Sequence, residues 1–516
     1  MTEEETKKVK IGKPSGFRDF FPEEYAKVDF VLGTMRRISR EFGYVEYQTP
    51  AVELRKLYEL KSGDELVGET FKITSRSGQK LVLIPELTPT LTRMLAERQQ
   101  YYTKPIRWFC IPRCYRDETL QRGRVKEFWQ YNIDILGMDD IYADAEIITI
   151  LTKIIAECGL SKTQFVVRIN DRNFMQKFME AIGIDDFIPV FQVFDRTFKL
   201  LQDYMYKEFR KKMPDEKAID FALEIRHGVS SHHSRFEIVE STKKEDPTFL
   251  DPIFENLPQT DETNEIKRNL PKYIVNSFKE ALENIKLEKK QIDDLFKLSL
   301  IEDTPKNFLV RVKKLTKLDN IGEILKNLEE LAQLLNNFEI TDYILFDGSL
   351  ARGLDYYTGI VFEAWSKEGI LPRAIAGGGR YADMVAMLGG QPLTGTGFGF
   401  GETVLMELMD EFKVKYPKQE ICDVYIAPIK LDDLSVIIEL SDQLRENGMK
   451  TIFNPFDWKL RRHFENAEKR KVEWMIIVGK KDLANDAVTL RNIITGDQEV
   501  IPLKKIVSTL VKRIKK

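Results

Sequence analysis

At 516 residues the chain is too long for a single hydrophobic core, and its length suggests about three domains. With 43% hydrophobic and 31% charged residues, its composition excludes a disordered or fibrous chain. The net charge of −3, from 79 basic and 82 acidic residues, neither shows nor excludes a polyanionic partner.

The first ten residues are polar, lack a signal-peptide core and are expected to fray. No apolar run approaches the roughly 18 residues of a spanning helix, so no membrane association is expected. From residue 17 to about 159, helices alternate with strand-like runs. The spacing predicts a helix over 25–42, extended chain over 44–52, a short strand over 81–84 and a helix over 146–158 stopped by Gly159. Residues 174–338 are rich in Lys, Glu and Leu and poor in Gly. Ile321, Ile324, Leu325, Leu328, Leu331 and Leu335 recur at spacings of three and four, so this stretch reads as a mostly helical insert. Glycine returns over 347–401, which reads as a return to the sheet. A polar connection at 413–419 follows. Strands are then expected at 423–429, 451–453, 474–478 and 488–491, with helices at 434–446, 460–471 and 504–514: a small α/β domain.

Cys110, Cys114, Cys158 and Cys422 are too few and too scattered for a disulfide framework or a zinc site, and read as small buried hydrophobes. His227, His232 and His233 read as part of a solvated loop, with no Cys near enough to complete a metal site. No metal ligand set is expected. The basic run at 459–471, which includes His463, reads as a helix with charged faces that could also meet phosphates.

Three segments carry chemistry. In IRWFCIPRCYRDETLQRGRVKEFWQYNIDILG (106–137), two apolar-rich runs flank a basic loop, as in a long antiparallel hairpin. Period-two alternation puts Phe128, Gln130, Asn132 and Asp134 on one face, with Trp129, Tyr131, Ile133 and Ile135 on the other. One face would pack while the other meets a ligand, and the guanidinium of Arg116 at the loop's entry could hold a phosphate. LARGLDYYTGIVFE (350–363) and AIAGGGRY (374–381) put Gly-rich backbone beside Arg352, Asp355, Tyr356 and Tyr357, allowing close approach of a ligand. LIPELTPT (83–90) places Glu86 and Thr88 in a proline-bounded loop.

Taken together these segments resemble a known family. RCYRDETLQRGRVKEFWQ resembles motif 2 of the class II aminoacyl-tRNA synthetases in its histidyl form. LARGLDYYTG resembles the histidine-specific signature of the histidyl-tRNA synthetases, and AGGGRY their second one. The order of PELT, motif 2, insert, RGLDYY and AGGGRY is also theirs, and WMIIVGKKDL and VTLRNI resemble their anticodon-binding domain. The likeness runs from residue 17 to 516 and weakens only in the insert.

The resemblance implies an α+β fold. A class II antiparallel-sheet catalytic domain (11–173 and 339–412) would be interrupted by a mostly helical insertion domain (174–338) and followed by a C-terminal α/β anticodon-binding domain (420–516). It implies activation of histidine with ATP to histidyl-adenylate and transfer to tRNA(His), with Mg²⁺ on the nucleotide, in a cytoplasmic homodimer paired through residues 25–52. By the same resemblance, histidine would be held by Glu86, Leu87, Thr88, Arg116, Gln130, Asp134 and Arg352, with Tyr356, Tyr357 and Tyr381 around its imidazole. Arg116, Glu118, Arg124 and Phe128 would take ATP, and Arg116 and Arg352 would serve the chemistry.

Two positions depart from the family's pattern. Ile84-Pro85-Glu86-Leu87-Thr88 stands where many members have Arg-Pro-Glu-Gly-Thr. Gly401-Glu402-Thr403-Val404 lacks the motif 3 arginine that normally meets the γ-phosphate, so either another basic side chain replaces it or ATP binding is impaired. That loss keeps open a catalytically silent paralogue that binds histidine or tRNA. A synthetase for glycine, threonine or proline is opposed by RGLDYY.

Overall fold

The computed structural model describes residues 12–60, 68–118, 123–209, 261–315, 318, 320–351, 356–367, 371, 373–382, 384–417, 422–429, 434–456 and 458–514. Helix α1 (Pro22–Glu41) begins with a proline that has no amide to satisfy, and Glu23 and Glu24 sit at the positive end of its dipole. Its buried Val28, Val31, Leu32, Met35 and Ile38 form a single apolar stripe. Strands β1 (Val45–Glu46), β2 (Val52–Leu54), β3 (Lys72–Thr74) and β4 (Lys80–Leu83) lead to α2 (Thr88–Arg98). Next come β5 (Ile106–Cys110), β6 (Arg113–Tyr115) and β7 (Glu127–Leu136), with β5 and β6 both antiparallel to β7, so the expected hairpin forms. Helix α3 (Ile141–Glu157) is capped by Asp140, whose carboxylate accepts the Tyr142 amide at 2.8 Å.

Strand β8 (Phe165–Asp171) is followed by α4 (Arg172–Ala181), α5 (Ile188–Asp195), α6 (Thr197–Phe209), α7 (Asp261–Asn284) and α8 (Lys289–Ser299). The two-residue β9 (Glu302–Asp303), α9 (Pro305–Leu315) and α10 (Ile321–Asn337) complete this stretch, and α10 packs on α3, α4 and β8. The chain then forms β10 (Ile344–Asp347), β11 (Tyr357–Ser366), β12 (Ala376–Tyr381), β13 (Gly395–Gly401) and α11 (Glu402–Glu411). His227, His232, His233, Arg352 and Asp355 lie outside the described residues.

The chain divides into two units, Met1–Lys415 and Tyr416–Lys516. The first is built on a ten-stranded sheet in the order β1-β5-β7-β13-β12-β11-β8-β10-β9, with β6 on the free end of β7. From β5 to β8 every neighbouring pair is antiparallel. Helices α1 and α3 cover one face, against β7, β12 and β13. Tyr131, Ile133 and Ile135 are fully buried there, and the Tyr131 hydroxyl meets Ser39 Oγ at 2.8 Å.

Arg380 ties this layer to the sheet. It pairs with the buried Asp144 of α3 at 2.5 Å and donates to the carbonyls of Met138 (3.0 Å) and Asp140 (2.8 Å). Burial raises the Asp144 carboxyl and the Arg380 guanidinium opposes the rise. All four cysteines are free and buried, and burial pushes the Cys110 and Cys158 thiols up to about 12.

The second unit holds β14 (Val424–Pro428), α12 (Leu434–Glu446), β15 (Thr451–Phe453), α13 (Leu460–Lys469), β16 (Trp474–Val478), β17 (Ala487–Asn492), β18 (Gln498–Pro502) and α14 (Leu503–Ile514). Its five strands run β15-β14-β16-β17-β18; the first three are mutually parallel and the last two antiparallel. Among the described residues no helix is long and apolar enough to cross a membrane.

Candidate active site

The face of the large sheet opposite α1 and α3 is nearly bare of side chains at its centre. Gly397, Gly399 and Gly401 of β13 lie across from Asp134, Asn132 and Gln130 of β7. A Cβ at Gly397 would overlap the Asp134 carboxylate, and one at Gly399 would come within 3.0 Å of Gln130 Nε2. Glycine is required at 397 by close approach, and at 399 a larger side chain would push against Gln130. Over this floor lies a cavity of about 400 Å³, lined by the front residues of β7 together with Gly377 and Tyr381 of β12.

One end of the cavity is acidic and aromatic. The Tyr381 hydroxyl donates to Asp134 Oδ1 at 2.7 Å, and both residues are buried. The Tyr356 ring lies 4.6 Å from that of Tyr357 and 6.2 Å, edge-on, from that of Tyr381. Glu86, Thr88 and Gln130 border the same cavity, and Gln130 Nε2 donates to Asn132 Oδ1 at 2.9 Å. Burial pushes the Asp134 carboxyl up to about 7, against the Tyr381 hydroxyl, which favours the carboxylate.

The other end is basic. Arg116 donates through Nε to the Pro85 carbonyl at 3.0 Å, and its guanidinium lies 5.3 Å from the centre of the Phe128 ring. Arg124 pairs with Glu118 at 2.5 Å. Val404, in the first turn of α11, borders this end, while its neighbour Glu402 is buried and paired with Arg18 at 2.5 Å. Burial raises the Glu402 carboxyl and Arg18 opposes the rise, so this acid is spent on structure.

Of the residues expected from the sequence, Glu86, Thr88, Arg116, Glu118, Arg124, Phe128, Gln130, Asp134, Tyr356, Tyr357 and Tyr381 all border this one cavity. Leu87 does not: it is fully buried, and its carbonyl accepts the Leu91 amide at the start of α2, so its side chain points into the core. Arg352 lies outside the described residues. Asn132, placed on the ligand face but given no role, borders the cavity, and so does Arg373, which had not been singled out. Asn132 was legible in the alternation of β7, whereas nothing in the sequence marks Arg373. Among the described residues, no group of three or more His, Cys, Asp or Glu side chains is arranged to hold a metal ion.

Residues 16–196 and 245–403 match the family described as histidyl-tRNA synthetase, and residues 423–513 match an anticodon-binding domain. The chain belongs to the histidyl-tRNA synthetase family. The histidine–tRNA ligase of Pyrococcus furiosus is 29% identical over 98% of this chain and 100% of its own length. That of Thermoplasma volcanium is 28% identical over 98% and 99%. The crystal structure of histidyl-tRNA synthetase from Nostoc sp. PCC 7120 superimposes with a TM-score of 0.70 over 98% of this chain and all of its own, at 19% identity, and shares the α+β fold.

In the second unit the chain between β15 and α13 carries a stacked pair. The Phe456 and Trp458 rings are 5.0 Å apart at 20°, with the Arg462 guanidinium 4.3 Å from the Trp458 ring centre. Phe456 is 52% exposed. His463, from the basic run, turns inward and bonds the Tyr425 hydroxyl through Nδ1 at 2.9 Å; burial lowers its pKa.

Asp134 makes a prediction about pH. Folded Asp134 keeps its proton to a higher pH than an unfolded aspartate, so its contribution to stability is complete below about pH 4 and is lost as pH rises through about 7. Asp134→Asn copies the neutral acid. It should exceed wild type at pH 8 by on the order of 2–4 kcal/mol, the gap closing toward pH 4. Denaturant melts across that range check this, and parallel pH profiles for the two proteins would refute it.

Proposed function

We propose that the chain activates histidine with ATP to histidyl-adenylate and transfers the histidyl group to tRNA(His). The observation that carries this reading is the polarity of the cavity: buried carboxyl and tyrosines at one end, arginines at the other, over a glycine floor. Family membership supports it. In this reading Glu86 and Asp134 take the α-ammonium of histidine, Thr88 and Gln130 help fix it, and Tyr356, Tyr357 and Tyr381 surround the imidazole. A site that hydrogen-bonds its ligand rejects analogues lacking the group. Arg116 holds the α-phosphate, Glu118 and Arg124 help place the nucleotide, and adenine stacks on Phe128. The histidine carboxylate attacks the α-phosphorus, forming the acyl–phosphate bond. The bond to the β-phosphate breaks, and pyrophosphate leaves with the electron pair. Arg352 neutralises the charge that builds on the non-bridging oxygens. Mg²⁺, if carried in with the nucleotide, would help neutralise its phosphate charge.

Amino-acid-dependent ATP–pyrophosphate exchange tests the reading. Histidine alone among the standard amino acids should support it. Exchange with another amino acid only would overturn the substrate; none with any would favour a silent module that binds histidine or tRNA. Arg352→Ala should slow single-turnover adenylate formation by on the order of 10²–10³ while changing histidine affinity less. A loss of affinity with unchanged chemistry makes Arg352 a scaffold residue.

For the second unit, the exposed Phe456, backed by the half-buried Trp458 with Arg462 beside it, is a platform on which an unpaired base of the anticodon loop can stack. Trp458→Ala should weaken tRNA binding by about 1–3 kcal/mol and leave exchange intact. Loss of exchange in the folded variant speaks against that division of labour. We also read the chain as a cytoplasmic homodimer joined through α1 and β1–β2, where Tyr25, Val45, Val52 and Leu54 are exposed. Sedimentation should give twice the chain mass, and Val45→Glu should lower it; a monomeric wild type rejects the interface.

A further inference from the structure

The floor of the cavity has a direction. Along β13, Gly397 faces Asp134, Gly399 faces Gln130 and Gly401 faces the Phe128 ring, 3.6 Å from a built Cβ. Beyond Gly401 the first turn of α11 brings in Val404. In the family's pattern the residue at this position meets the γ-phosphate of ATP, and Val404 offers it nothing.

The charge available at that end comes from another element. Arg373, on the segment leading into β12, borders the same cavity and is half-buried. A side chain built at Gly123 would come 3.6 Å from Arg373 Cδ and 3.5 Å from Val404 Cγ2, so the two residues flank one spot. That spot is fixed, because the Gly123 amide donates to Glu407 Oε1 of α11 at 2.9 Å. The other arginines of the cavity are engaged, Arg124 by Glu118 and Arg116 by the Pro85 carbonyl and the Phe128 ring. Among the described residues no ion pair engages Arg373, and a half-buried guanidinium in that condition is poised for an anion.

We propose that Arg373 binds the terminal phosphates of ATP, supplying from the β12 side the positive charge that Val404 does not supply from α11. The proposal rests on the reading of the cavity as an ATP site and is independent of which amino acid is activated. It also accounts for a neutral residue at 404. A second guanidinium there would compete with Arg373 for the space beside Gly123 and would repel it.

The test is equilibrium binding of ATP and of AMP, each with Mg²⁺, to the full chain, because only ATP carries terminal phosphates. Arg373→Ala should weaken ATP binding about 10- to 100-fold, as expected for a lost charge-assisted contact, and change AMP binding less than about twofold. Arg373→Lys should recover part of the loss, and Val404→Arg in the Arg373→Ala background should recover more. Equal weakening of ATP and AMP would make Arg373 a scaffold residue and overturn the proposal; so would unchanged ATP binding. A wild type that binds neither nucleotide would overturn the ATP site itself. One that binds both but exchanges with an amino acid other than histidine would overturn the substrate and leave Arg373 in place.

Discussion

Strict alternation of side chains across β7 and β13 is the constraint on which the rest of the first unit depends. A β-strand sends successive residues to opposite faces, so Tyr131, Ile133 and Ile135 can be buried under α1 and α3 only if Gln130, Asn132 and Asp134 face the other way. Burying polar groups costs free energy unless they are hydrogen-bonded. Here the Gln130 amide meets Asn132 and the Asp134 carboxyl meets Tyr381. Across the register β13 answers with glycine at 397, 399 and 401, so no neighbouring Cβ fills the space above these groups. The cavity is thus a consequence of register. A slip of one residue would turn Phe398 and Phe400 into it and send Asp134 into the apolar layer.

The same register sorts charge. Without a cation nearby, a buried carboxyl such as Asp134 is held toward its neutral form, and an arriving ammonium would remove the cause. Two of the arginines at the other end are held before any ligand arrives: Arg116 by a carbonyl and a ring, Arg124 by Glu118. Charge fixed in advance needs no reorganisation when negative charge develops, which is why electrostatic preorganisation is so large a share of catalysis. Glu402 stands apart from this economy. Its pairing with Arg18 joins the segment before α1 to the first turn of α11, so an acid close to the cavity adds no net negative charge there.

Much of the cavity was legible because residue type and period coincide along β7. The alternation at 127–136 gives both the packed face and the binding face, and β7 spans those same residues. Leu87 was misplaced because the loop before α2 has no period to read; tertiary packing decides which of three consecutive side chains turns inward. Strand β18 escaped notice for a related reason. It is an edge strand with Gln498, Glu499, Val500 and Pro502 all exposed, so no hydrophobic alternation marks it. Periodicity at 321–335 announces a helix but not its docking partners, which in α10 are α3, α4 and β8. The raised Asp134 carboxyl was equally unreadable, since a shift of this kind comes from surroundings assembled by four separate strands.

Arg373 shows where reading by position reaches its limit. An anion responds to a positive charge by distance and dielectric, and is indifferent to which backbone element delivers it. Two sequences can therefore place a guanidinium at the same point from different strands or helices, and a motif comparison registers one of them as a loss. Val404 looks like such a loss when α11 is considered alone. The residue that shares its surroundings lies 31 positions earlier, before a different strand, and only the β12–β13 pairing brings the two elements together. The vacancy at a motif position becomes informative once the neighbours of that position in space are known, because a half-buried arginine with no ion pair among the described residues is open to an anion that the cavity receives.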